Sequence, residues 1–277
     1  MEPQDFAALR YNNRMQQPTL SDLIELARGA GEILRGGYGT RHTIQHKGRI
    51  DLVTEYDKRS EEYLVTELRR RFPGHTIYAE ESGRSEGRAE AIWYIDPLDG
   101  TTNYAHGFPA FAVSIAFAEA GALRLGVVYD PLRDEMFAAE LGRGAWLNGE
   151  AIQVSEPEDL LHSLLVTGFA YDDWVINTNL EHFIHFSKLC QGVRRIGSAA
   201  LDLCYVAAGR LDGYWEISLQ PWDSAAGGLI AREAGAVVTA LDGDATFLKP
   251  PYAILAASSQ LHGVMLEELK KNGKPRT

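Results

Sequence analysis

The segment Trp93-Tyr94-Ile95-Asp96-Pro97-Leu98-Asp99-Gly100-Thr101-Thr102-Asn103 constrains the chain most, because an apolar run there ends on two carboxylates three residues apart. Trp93 to Ile95 belong inside a sheet. Pro97 biases Asp96 toward an extended conformation and removes a backbone donor. Leu98 offers its carbonyl from a tight loop, Gly100 permits a sharp turn, and Thr101-Thr102-Asn103 read as a helix start with free amides. A strand, an acidic turn and an anion-ready helix end therefore follow one another within a dozen residues.

The surrounding pattern is mixed. Ser21 is expected to cap a helix with Leu23, Leu26, Ala27, Ala30 and Leu34 on one face, closed by Gly36-Gly37. The cluster Gly36-Gly37-Tyr38-Gly39 lacks dinucleotide-loop spacing and reads as that stop. A second helix is expected from Lys58 to Phe72, ended by Pro73-Gly74. Short apolar or alternating runs predict strands at Ile77–Glu80, Ala91–Asp96, Phe111–Ala118, Leu123–Tyr129 and Met136–Glu140, with a hairpin at Gly121. A turn-rich stretch, Gly142 to Gly149, leads into an expected strand at Ile152–Val154.

The second half alternates. Strands are expected at Leu164–Thr167, Val193–Ile196, Tyr214–Ile217, Ala236–Leu241 and Ala253–Ala256. Helices are expected at Glu181–Cys190, Ala199–Ala208, Asp223–Ala234 and Gln260–Lys271. Residues 1–18 are polar and unpatterned, a flexible arm ending at Pro18. No linker or repeat divides the rest, so two halves with a soft boundary near 150–160 share one packed body.

Composition narrows the class of function. Lys and Arg total 27 against 38 Asp and Glu, a net charge of −11 that argues against binding a nucleic-acid backbone. No run approaches the roughly 18 apolar residues of a membrane span. The first residues lack the order of a secretory signal, and Cys190 and Cys204 cannot form a disulfide framework. A cytoplasmic protein with two buried, reduced thiols is expected.

Three more acidic stretches end helix or strand patterns: Asp51 to Asp57, Ala79-Glu80-Glu81-Ser82, and Trp222-Asp223 running on to Gly227. Hard carboxylate oxygens and a backbone carbonyl are ligands that Mg²⁺ takes. Several carboxylates in one site would repel a phosphate ester unless bound cations inverted the local charge.

Together the four stretches resemble the motifs of the inositol monophosphatase family, in the right order over about residues 20–265. The resemblance implies an α+β fold, a layered αβαβα sandwich of the inositol monophosphatase and fructose-bisphosphatase type, with residues 19–277 as a single phosphatase domain. It implies that Glu80, Asp96 and the Leu98 carbonyl hold one Mg²⁺, and that Asp96, Asp99 and Asp223 hold a second. A third ion would sit on Glu80, which is also counted with the catalytic residues. Thr101 paired with Asp57 would orient the attacking water, and the Gly100 and Thr101 amides would grip phosphate. Glu216, Asp223 and the turn Gly197-Ser198-Ala199 would face the substrate.

The activity implied is hydrolysis of a phosphate monoester, myo-inositol 1-phosphate first, by a lithium-sensitive homodimer with two to three Mg²⁺ per subunit. The alternatives are fructose 1,6-bisphosphate, histidinol phosphate, 3′-phosphoadenosine nucleotides, and a protein-binding scaffold with incidental activity. Two positions depart from the family pattern: Ser218 stands where many members carry Gly, and Lys47 sits one residue from the expected lysine. The loop Gly168 to Trp174 lies where members vary and is expected to shape substrate choice.

Other residues carry weaker signals. His182 and His185 share a helix face, expected to be solvated or at an interface. Arg194-Arg195 are read as a solvated pair, with contact to a phosphate or sugar as the alternative, His106 as a minor candidate for substrate contact, and Glu81 as pointing away from Glu80.

Overall fold

The computed structural model describes residues 17–40, 44–46, 52–169 and 173–272. Most of the expected arm, Lys47, Asp51 and residues 170–172 of the 168–174 loop lie outside the described residues. In chain order the elements of the first half are α1 (Leu20–Gly37), β1 (Ile44–His46), β2 (Leu52–Thr54), α2 (Glu55–Arg71), β3 (His75–Ala79), β4 (Gly83–Arg84), β5 (Arg88–Asp99), α3 (Thr101–Ala105), β6 (Ala112–Glu119), β7 (Ala122–Asp130), β8 (Glu135–Glu140), β9 (Gly144–Leu147) and β10 (Glu150–Ala151). The second half contains β11 (Leu164–Thr167), α4 (Asp173–Phe186), β12 (Gly192–Arg194), α5 (Ala199–Ala207), β13 (Gly213–Glu216), α6 (Pro221–Glu233), β14 (Val237–Thr239), β15 (Ile254–Ala257) and α7 (Ser259–Asn272).

Strands β10-β9-β8-β7-β6-β5-β3-β4 form one sheet, antiparallel except where β3 pairs with β5. A second sheet orders β12-β11-β13-β15-β14, with β11 parallel to both neighbours. Helices α1 and α2 cover one face of the large sheet; α5 and α6 lie between the two sheets; α4 and α7 cover the far face of the small one. This is the α+β αβαβα sandwich, layer by layer.

Strand alternation sorts side chains by size. Val113, Ile115 and Phe117 of β6, with Leu125, Val127 and Tyr129 of β7, join the core under α1 and α2. The opposite face is lined by small residues, Ala112, Ala116 and Ala118, and α6 packs there with Ala225-Ala226-Gly227-Gly228. Approach is close: a Cβ on Gly126 would lie 3.0 Å from the Ala226 carbonyl oxygen, and one on Gly227 would lie 2.8 Å from Leu203 Cβ.

The hairpin at Gly121 is present, with Ala120 and Gly121 both at positive φ, as a two-residue turn requires. Other expectations shift. Thr19, not Ser21, caps α1, because Thr19 and Asp22 make a reciprocal capping box. Thr54 and Asp57 do the same for α2, which therefore starts at Glu55 rather than Lys58. Ile152–Val154 is not a strand. Its amides bond to the Ala145 and Ala234 carbonyls, tying the end of the large sheet to the end of α6. Helix α4 begins earlier than expected and ends at Phe186, buried against Trp215.

His185 pairs with Glu268 of α7 at 2.7 Å, and His182 is buried, so that face is an internal packing surface rather than a solvated one. Of the two cysteines, Cys204 is buried and Cys190 half-buried; both are free thiols. No described helix is long and apolar enough to cross a membrane.

The tight contact between the large sheet and α6 gives a direct test. Gly126→Leu should lower stability by about 1–3 kcal/mol through overpacking. It is read as a drop in the urea unfolding midpoint at unchanged slope. An unchanged midpoint would mean the two layers separate freely.

Candidate active site

One pocket of about 550 Å³ lies where strands β5, β11 and β13 end and helices α3, α5 and α6 begin. It is lined by Glu80, Asp96, Leu98, Asp99, Gly100 and Thr101 from one side, and by Gly197, Ser198, Ala199, Glu216 and Asp223 from the other. Every expected site residue except Asp57 is on that wall.

Asp57 sits directly behind it. It is fully buried at the third position of α2, where Oδ2 accepts from the Thr54 amide at 2.8 Å and the Thr54 hydroxyl at 2.5 Å. Its other oxygen, Oδ1, is 2.8 Å from Thr101 Oγ1, which donates to it or to the Leu98 carbonyl at 3.0 Å. Burial pushes the Asp57 carboxyl up, and the bonds from Thr54 and Thr101 pull it back.

The β5 end departs from regular pairing between Asp96 and Asp99. Pro97 has no N–H for the ladder. Its carbonyl accepts from Ser60 of α2 at 2.8 Å, and the Leu98 amide donates to Asp96 Oδ1 at 3.0 Å. Gly100 then takes φ +92°, and a Cβ there would lie 2.9 Å from the Ala110 carbonyl oxygen, so both conformation and space require glycine.

Asn103 locks the turn from beneath. Its amide donates to the Ala110 carbonyl at 2.7 Å and the Ile196 carbonyl at 2.9 Å, which fixes the Gly197 turn beside Gly100. Asp99 accepts from Ser198 Oγ at 2.5 Å and the Ala200 amide at 2.8 Å, joining β5 to the start of α5.

The acids strain against one another. Asp96 is pushed well above the usual carboxylate range by burial, then by Glu80, Asp99 and Asp223, and it hydrogen-bonds Glu80. Asp223, which also caps α6 through the Gln220 amide at 2.7 Å, is pushed well up by burial and by Asp99 and Glu80. Burial pushes Asp99 up to about 6. Among the described residues Arg195 is the one basic residue lining the pocket, and it lies toward Glu216 and Asp202.

Among the described residues no three Asp, Glu, His or Cys side chains already stand together as a closed metal-ligand cluster. The chemistry of the donor set nevertheless fits a hard cation. Glu80, Asp96, Asp99 and Asp223 supply oxygens only, they repel one another, and the Leu98 carbonyl lines the same wall.

On the same wall Glu216 is buried, takes a 2.6 Å bond from the Tyr214 hydroxyl, and is pushed by burial up to about 7. A Cβ on Gly168 would lie 2.0 Å from Glu216 Oε2, so this glycine makes the space for the carboxylate. Ser218 takes φ +64°, the left-handed conformation that suits the Gly of many family members.

Three site residues escaped the sequence reading. Arg195, taken as solvated, lines the pocket. Asp202 lines it too, with neither carboxylate oxygen hydrogen-bonded among the described residues. Glu61 accepts from the Glu81 and Ser82 amides at 2.8 Å each and so holds the Glu80 loop. The available signal for Glu61 was its place four residues after Asp57, on the same face of α2. His106 is exposed and away from the pocket, and Glu81 does not line it.

The model of the inositol monophosphatase family matches residues 15–274. Nus factor SuhB of Pasteurella multocida is 44% identical over 244 residues, covering 87% of this chain and 91% of that protein. The inositol-1-monophosphatase of Synechocystis sp. is 46% identical over 257 residues, covering 91% and 89%. The crystal structure of extragenic suppressor protein suhB from Bartonella henselae superposes with a TM-score of 0.87 at 38% identity, covering 91% of this chain and 98% of that one. The pocket, the fold and these likenesses agree: the chain belongs to the inositol monophosphatase family.

Proposed function

We propose that the chain hydrolyses a small polyol or sugar phosphate monoester with Mg²⁺, and that myo-inositol 1-phosphate is its foremost substrate. The family is one of phosphatases, and one relative carries the inositol-1-monophosphatase name. The observation that carries the reading is the convergence of acids on one pocket. Glu80, Asp96, Asp99, Asp223 and Glu216 all line it, and Thr101 on its wall bonds Asp57 behind.

Glu80, Asp96, Asp223, Asp99 and the Leu98 carbonyl would hold the ions. Bound Mg²⁺ would supply a more acidic water and compensate charge on the phosphate and leaving oxygen. Thr101 donates its hydroxyl hydrogen bond to Asp57, which leaves hydroxyl lone pairs to orient the attacking water. The Gly100 and Thr101 amides receive phosphate oxygens, in a loop held by Gly100 and Asn103. Glu216 accepts the substrate's hydroxyls, its position set by Tyr214.

A screen of phosphate release from phosphorylated metabolites tests the function directly. Turnover should require Mg²⁺, vanish in EDTA and be highest on a polyol monophosphate. Turnover that persists in EDTA would sink the metal reading. Absence of release from every ester would favour a scaffold, the reading suggested by relatives named Nus factor.

The raised acids set a pH dependence. Asp99 at about 6 and Glu216 at about 7 lie above their ordinary values, so the folded metal-free chain binds more protons than the unfolded chain between about pH 4 and 7. These groups therefore make metal-free stability fall as pH rises through that window. His75, His182 and His262, lowered by burial, contribute the opposite slope, but they do so with and without metal. Mg²⁺ replaces protons on the acids. The rise in Tm on adding Mg²⁺ should thus be larger at pH 7.5 than at pH 5.5; equal rises would count against Asp99 as a ligand.

Glu216→Gln separates substrate recognition from chemistry. Charge-assisted bonds to hydroxyls contribute roughly 1.5–3 kcal/mol, so kcat/KM for a polyol phosphate should fall about 10–100-fold. The loss on p-nitrophenyl phosphate, which offers no hydroxyl, should be far smaller. Equal losses on both would place Glu216 in the folding or metal machinery.

A further inference from the structure

A second cavity, of about 400 Å³, opens at the other end of α6, where its C-terminal turns meet the starts of β5 and β7. Its walls are apolar: Ile92, Leu123, Leu229, Phe247 and Leu248. Asp223 and Arg232 stand nine residues apart on α6, about 13 Å along the helix, so this cavity is separate from the catalytic pocket.

Its charge runs against the rest of the chain. In a protein of net charge −11, two cations, Arg232 and Lys249, line the cavity against a single acid, Glu90. Arg232 is held in place. Its Nη2 donates to the Val238 and Ala245 carbonyls at 3.2 Å each, and its guanidinium lies 5.3 Å from the centre of the Phe247 ring. Phe247 is itself pinned: a Cβ on Gly228 would lie 2.6 Å from Phe247 Cζ, so the ring rests on the helix backbone.

These contacts leave Nε and Nη1 of Arg232 without a hydrogen bond among the described residues, and no carboxylate stands within ion-pair distance of the guanidinium. Burial pushes this guanidinium's pKa down, and the nearby Glu233 charge pulls it partly back. The Tyr94 hydroxyl, also on the wall, is likewise unbonded among the described residues.

We propose that this cavity is a second ligand site, one that takes a small aromatic anion, its flat body against Leu123, Leu229 and Phe247 and its charged group on Arg232 and Lys249. The volume suits such a molecule, since ligand pockets run from about 300 Å³ upward. The site goes beyond the phosphatase reading and shares no lining residue with the catalytic pocket.

The test is fluorescence titration of the full chain with 8-anilinonaphthalene-1-sulfonate, with Mg²⁺ and inorganic phosphate present to occupy the catalytic pocket. One saturable site per chain is expected. Arg232→Gln should raise its Kd at least about fivefold, and Leu123→Trp, which fills the cavity, should remove it. The uncharged N-phenyl-1-naphthylamine should bind more weakly and be indifferent to Arg232→Gln. Displacement of the dye by benzoate or by phenylphosphonate then distinguishes a carboxylate from a phosphoryl head group. Should Leu123→Trp fail to fold, Arg232→Gln alone decides. A Kd unchanged by Arg232→Gln, or a dye that neither anion displaces, overturns the proposal.

Discussion

In a regular strand, residues three apart face opposite sides of the sheet, so Asp96 and Asp99 could not both enter one pocket. The irregularity at Pro97 and Leu98 resets that alternation. It depends on a proline that has no N–H to give the ladder, on Ser60 capturing the Pro97 carbonyl, and on the Leu98 amide closing onto Asp96. Everything at the acidic end follows from this local break. Gly100 turns directly after it, Thr101 reaches Asp57, and Asn103 ties the turn to Gly197.

Gathering acids in a buried pocket opposes folding, since each carboxylate loses solvation and feels its neighbours. The protein relieves this unevenly. Asp99 is compensated by Ser198 and the Ala200 amide, Asp57 by Thr54 and Thr101, Asp223 by the Gln220 amide. Asp96 and Glu80 have each other, an arrangement that requires a shared proton or a cation between them.

What could be read from the chain beforehand was what is local. The strand that carries Asp96, the turn at Gly100, the hairpin at Gly121 and the apolar face of α1 are set by neighbours within a few residues, and the structure has them, with the strand running on to Asp99. What could not be read depends on partners far along the chain. Glu61 holds the loop of Glu81 and Ser82, 20 and 21 residues away, and Asn103 reaches Ile196, 93 away. The spacing of Glu61 from Asp57 marks its helix face but not its partner, and no local pattern marks the reach of Asn103. Ile152–Val154 has a strand's composition, but its amides are taken by Ala145 and Ala234. The five-layer order was legible only through family resemblance, because sheet order is a matter of non-local pairing.

Helix α6 shows why those distant contacts cannot be loosened separately. Asp223 belongs to its first turn, so the carboxylate's position is the helix's position. That position is set by the missing side chains of Gly126, Gly227 and Gly228, which let the large sheet, α5 and Phe247 press against the helix on different sides. A helix so enclosed has little freedom to slide or roll, since any displacement drives backbone into backbone. The small residues are thus as much a part of the acidic pocket as its acids: they carry no chemistry, yet they fix the distance between the strand that supplies Asp96 and Asp99 and the helix that supplies Asp223.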